Sequence, residues 1–288
     1  MMKTIVSMLS VVLVVSVLAR VAIAGQGYTF TTIDVPGAIT VSVEDINDRQ
    51  EMVGYYEEAS ESHAFLLDKY GTFTTLDFPG VARTVAFGNN QAGQIVGMFQ
   101  GPEGRSHGLF YDHILLMVPD PPDTQPHTWA TDINDSLQMV GVVHTLTGRH
   151  GFLYADSEFT PIDVPFPGAS DTQVEGLNNS GAMVGHYVTP TGPRAGFLRQ
   201  PDGTFLSIQV PFPGAFDTRV NAVNDQGVIV GEYTDQTGTH GFVYDQGTYT
   251  TIGVPGSMAT RITGINSHRW LVGAFIEAPN ITRGFVAK

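Results

Sequence analysis

Six Val-Gly dipeptides, beginning at Val53, Val96, Val140, Val184, Val230 and Val272, set a frame in which the residues able to do chemistry fall into columns. Nine residues before each Val stand Glu44, Phe87, Thr131, Glu175, Asn221 and Thr263. Eleven before it stand Ser42, Val85, Trp129, Gln173, Arg219 and Arg261. Glu44, Glu175 and Asn221 share one column and offer oxygen, the ligand type a calcium ion takes. Trp129, Gln173, Arg219 and Arg261, with Asn221, are the side chains suited to gripping a ligand. His186 and Glu232 stand two residues after Val184 and Val230, equivalent places that could form an acid–base pair. The plainer alternative is a hydrated channel wall and two solvated strand ends.

Composition narrows the chemistry further. The 288 residues contain no cysteine, which excludes disulfides, thiolate nucleophiles and cysteine-bound zinc. With 14 Lys and Arg against 28 Asp and Glu, the net charge of −14 would repel a phosphate backbone, so nucleic acid is not an expected partner. No Gly-x-Ser-x-Gly elbow, phosphate loop or His-Glu-x-x-His helix is present.

The elements that must position these residues come from an internal repeat. An asparagine lies six residues before each Val, at Asn47, Asn90, Asn134, Asn178, Asn224 and Asn266, and the units are 42 to 46 residues long. A small residue followed by a large apolar one recurs from Ala64-Phe65 to Gly284-Phe285, and a proline follows an apolar residue from Pro36 to Pro255. Each unit reads as four short strands, with tight turns of the Asn224-Asp225-Gln226-Gly227 kind after the first and Asp245-Gln246-Gly247 after the third. Proline ends the fourth strand because it cannot donate to a ladder.

Such units predict an all-β fold, a six-bladed β-propeller with four strands per blade. Tyr28 to Val35 reads as a fourth strand without its first three, whereas the C-terminus ends after a third strand at Gly284-Phe285-Val286. Pairing the two would close the sixth blade and remove two open edges. Lys3, the apolar run Ile5 to Ala19 and the small residues before Gly25 read as a cleaved secretory signal over 1–24. The run is too short to span a bilayer, and a mature chain over 25–288, one domain, would carry a net charge of −16 and no membrane span.

His63-Ala64-Phe65, His107-Gly108-Leu109, His150-Gly151-Phe152 and His240-Gly241-Phe242, with the preceding Asn turn and Val-Gly strand, resemble the HAF repeat of secreted bacterial proteins. Two units depart from it at Ala195 and Arg283, and three lack the turn glycine, at Gln50, Leu137 and Arg269. The resemblance implies bacterial export, to the periplasm or the medium, and implies no activity. The layout is also similar to six-bladed propellers of the streptogramin-lyase and NHL type, which implies that the first strand of each unit is innermost. Repeated residues usually serve the repeat, so the four histidines are expected to support their own blades. Function is expected where the copies differ.

Two function classes follow. The favoured one is a secreted binding module, holding a glycan, small molecule, peptide or protein on the long-loop face. The alternative is a channel-centred hydrolase or lyase of lactone or polysaccharide type, with a divalent cation at Glu44, Glu175 and Asn221 and His186 or Glu232 as base. Missing catalytic motifs favour binding.

Overall fold

The computed structural model describes residues 12–13, 20–25, 27–121 and 127–288. Most of the expected signal segment and residues 122–126 of a proline-rich link lie outside the described residues. Those described form strands and turns only, with no helix long and apolar enough to cross a membrane.

The unit expected from the sequence is the unit observed. One copy runs Asp217–Val223, Ile229–Asp235, Gly238–Asp245 and Thr248–Ile252, each strand antiparallel to the next. Four sheets have this form. A ten-stranded sheet holds the rest, and within it two four-strand groups meet through one parallel bridge, Thr40 to Thr282. In one of them Tyr28–Ile33 is antiparallel to the C-terminal strand Ile281–Ala287, with Ile33 opposite Gly284. Thr29 and Lys288 exchange two backbone hydrogen bonds at the end of that seam. Phe30 and Ile33 go into the core with it, so the two chain ends cover each other's edges.

The first strands of the units are Thr40–Ile46 (β1), Thr84–Asn89 (β2), His127–Ile133 (β3), Ser170–Leu177 (β4), Asp217–Val223 (β5) and Ala259–Ile265 (β6). Each packs against the next and β6 packs against β1, so the first strand is innermost and the sheets radiate from an axis. This is a propeller. Its core lies between neighbouring sheets, and every Val of the Val-Gly pairs is fully buried there.

The repeated asparagine explains how the axis is pinned. Each Oδ1 accepts the backbone N–H four residues on, closing its own turn, as in Asn224 to Val228 at 3.0 Å. Each Nδ2 donates to the carbonyl of the next unit's asparagine: Asn47 to Asn90, Asn90 to Asn134, Asn134 to Asn178, Asn178 to Asn224, Asn224 to Asn266, and Asn266 back to Asn47. All six are buried, where an unpaired amide would be costly. Loss of the turn glycine does not change the turn: Gln50, Leu137 and Arg269 adopt φ of 65°, 61° and 63°.

The repeated histidines serve their own sheets. His63, His107 and His150 place Nδ1 at 2.7, 2.9 and 3.0 Å from Asp77, Asp120 and Asp163 beside the proline links. His240 instead meets Asp235 and Thr237 in the loop before it.

Candidate functional site

In all six inner strands the ladder skips one residue. Val43 pairs with Gly54 and Asp45 with Val53, leaving Glu44 unpaired between them. The same bulge leaves out Phe87, Thr131, Glu175, Asn221 and Thr263. A bulge re-aims the extra side chain, here toward the axis. The glycine of Val-Gly makes room for it, since a Cβ on Gly54 would stand 2.0 Å from the Ser42 carbonyl oxygen, and its five equivalents meet the same obstacle. The repeat motif is thus the sequence signal for the bulge, a connection that strand patterning alone misses.

The bulged residues divide by their hydrogen bonds. Thr131, Asn221 and Thr263 donate to the carbonyls of Val174, Ile262 and Val43 on the next inner strand, at 2.8, 2.7 and 2.6 Å. These three side chains tie the ring together. Glu44, Phe87 and Glu175 make no such tie and face a cavity of about 540 Å³.

Around that cavity the lining is sorted by strand. β2 and β3 supply Phe87 and Trp129, their rings 6.2 Å apart. β5 and β6, across the ring, supply Arg219 and Arg261. Glu44 on β1 and Glu175 on β4 stand at the two seams between the aromatic and cationic halves. Tyr55, His186 and Glu232 join them from second strands. Gln173 is buried opposite His186 and does not line the cavity.

The expected His186–Glu232 pair is not what forms, and neither side chain is a solvated strand end, since both are buried. Glu232 lies between two guanidinium groups, 3.5 Å from Arg219 and 3.3 Å from Arg261. His186 Nδ1 faces Glu175 Oε1 at 3.6 Å, beyond hydrogen-bond reach, and has no partner. Trp129 Nε1 is likewise buried and unpaired.

Electrostatics follow from burial among these groups. Burial pushes the Glu175 carboxyl up to about 7, although Arg219 opposes the rise. Glu44 is pushed up to about 6 by burial, moderated by the Ser42 hydroxyl. His186 is driven down to about 3 by burial and then by Arg219, so its imidazole is neutral. Near neutral pH, therefore, Glu175 exchanges a proton while His186 acts as a neutral donor or acceptor. Among the described residues, no three His, Cys, Asp or Glu side chains converge to hold a metal ion.

No family model matches the sequence. No curated protein matches it either. Solved structures do. The SapL1 lectin, determined in complex with alpha methyl fucoside, is similar with a TM-score of 0.60 at 8% identity, covering 86% of this chain and 93% of that one. A gluconolactonase from Xanthomonas campestris gives a TM-score of 0.57 at 11% identity, over 91% and 89% of the two chains. A streptogramin B lyase gives 0.52 at 13% identity, over 90% and 97%. At these identities the likeness is one of fold, and the propeller is common to a lectin and to enzymes.

Proposed function

We propose that this chain is an exported six-bladed propeller that binds a glycan unit in its central cavity. The observation that carries this reading is the two-sided lining. Phe87 and Trp129 offer flat apolar surface to the C–H face of a sugar ring, while the opposite wall offers Arg219, Arg261 and Glu232 to its hydroxyl groups. His186 Nδ1 and Trp129 Nε1 are buried without partners at the cavity wall, polar atoms that the fold itself leaves unsatisfied. The six-blade count rests on counting the ten-stranded sheet as two blades joined by the Thr40–Thr282 bridge. Export rests on the signal-like segment 1–24, and N-terminal sequencing of the secreted protein should begin at Gly25.

Isothermal titration against a panel of mono- and oligosaccharides tests the binding. Trp129→Ala should weaken any sugar that binds by about tenfold or more, as loss of an aromatic platform does. Unchanged affinity in that variant removes the central cavity as the site.

A second reading, a hydrolase or lyase, has one observation in its favour: Glu175, titrating at about 7, faces His186 across 3.6 Å. Glu232 is engaged by two arginines, at 3.5 and 3.3 Å, rather than by His186. Turnover of a lactone or glycan panel that disappears in Glu175→Gln would favour the enzyme. Calcium would have to use Glu44, Glu175 and the Asn221 oxygen in a cavity that also holds two arginines. A melting temperature raised by calcium and lowered again by chelator tests that ion directly.

A further inference from the structure

The sorting of the lining by strand says more about the ligand than that it is polar. Arg219 and Arg261 share a single carboxylate, Glu232, so the cationic half keeps one positive charge in excess. Their contacts with it run through Arg219 Nη1 and Arg261 Nε, which leaves the other guanidinium donors available to a ligand. Arginine presents its donors as a planar fork that matches a carboxylate. A neutral sugar needs no such excess charge, whereas a carboxylate would pair with it.

We propose that the ligand is an acidic sugar, its carboxylate docked on Arg219 and Arg261 and its ring against Trp129 and Phe87. This rests on the glycan-binding reading and specifies its substrate class. Uronic acids fit the layout because their carboxylate projects from the edge of a ring whose faces carry C–H groups. The two halves of the cavity lie across the ring of inner strands from one another, so a ligand held between them faces both.

The seam glutamates make the preference depend on pH. The charged and titratable groups facing the cavity are Glu44 on β1, Tyr55 beside it, Glu175 on β4, Arg219 on β5, Arg261 on β6, and His186 and Glu232 from second strands. Arg149, Arg194 and Asp217 also act electrostatically on His186. β2 and β3 contribute only Phe87, Trp129 and Thr131. With burial holding Glu44 near 6 and Glu175 near 7, both are protonated in mild acid and the cavity favours an anion. Above pH 7.5 both are ionised and repel one.

Titrations at pH 5.5 and 8 would use oligomers of galacturonic, glucuronic and mannuronic acid alongside their neutral parents. The expected result is a preference of about tenfold or more for an acidic member at pH 5.5, as charge-assisted hydrogen bonds provide, shrinking toward none at pH 8. Arg261→Gln should remove the preference, weakening the acidic member by about tenfold more than its neutral parent. Because Arg219→Gln alone would leave the buried Glu232 with only the exposed Arg261, the Arg219→Gln/Glu232→Gln double variant serves as the second probe and should likewise lose the preference. Neutral parents binding as tightly as the acids at pH 5.5 would overturn the acidic-sugar assignment and leave glycan binding standing. Failure of every sugar to bind the folded protein would remove both.

Discussion

Replacing Asn224 by alanine measures what the asparagine ring contributes. The side chain is 5% exposed and holds three partners: its Nδ2 donates to the Asn266 carbonyl at 3.0 Å, and its Oδ1 accepts from Gln226 N at 3.1 Å and Val228 N at 3.0 Å. Water can replace the bond to Gln226, which is exposed, but not those to Asn266 and Val228, which are buried. The Val228 N–H is left unpaired at a cost of about 1–3 kcal/mol, and the Asn266 carbonyl, which keeps the Arg269 N–H at 3.0 Å, loses one bond worth about 1 kcal/mol, so the variant should lose about 3 kcal/mol. For a chain of this size that is a fall of roughly 6–12 °C in melting temperature. Differential scanning calorimetry reads it, with Asn224→Asp as a control. The aspartate keeps the acceptor and loses the donor, so at neutral pH it should melt well below the wild type and recover part of the loss in acid, where its carboxyl proton can donate. An alanine variant melting within 2 °C of the wild type, on the scale of ~2–4 °C per kcal/mol, would refute the idea that the ring carries stability.

Three further outcomes follow from the same geometry. Glu175 is raised in the folded state from its ordinary 4.5 to about 7, so its contribution to stability is fully present below pH 4.5 and lost as pH rises through 7. At about 1.4 kcal/mol per pH unit between the two values, the loss exceeds ~3 kcal/mol by pH 8, and thermal melts of Glu175→Gln should lack that part of the fall. Leu137→Gly should raise the melting temperature slightly, because leucine at φ 61° carries about 1–2 kcal/mol of strain, only partly offset by the greater freedom of unfolded glycine. Deleting residues 27–35 removes Phe30, Ile33 and Val35 from the core and uncovers the edge of Ile281–Ala287. Three such side chains are worth about 6 kcal/mol, so the truncated protein should melt at least ~10 °C lower or aggregate; a melt near that of the undeleted protein would remove the seam as a source of stability.

Much of this molecule is determined within one repeat unit. Four strands, the tight turns and the proline stops depend on neighbours in the chain, and these were legible because turn and strand preferences are local. The N-terminal strand's pairing with the C-terminal one was legible too, since a repeat cut between its third and fourth strands has one way to close. The candidate site was visible as a difference among copies: Glu44, Trp129, Glu175, His186, Arg219, Asn221, Glu232 and Arg261 all reach one cavity. Their partners were not visible. Glu232 sits between Arg219 on its own sheet and Arg261 on the next, and Glu175 rather than Glu232 faces His186. Asn221 looked like a ligand residue, yet its amide ties β5 to β6. These outcomes depend on which strands become neighbours around the axis and on how far each bulge turns its side chain. Burial and Coulomb forces then act between residues on different strands, here 11 to 41 positions apart, where spacing along the chain carries no record of them.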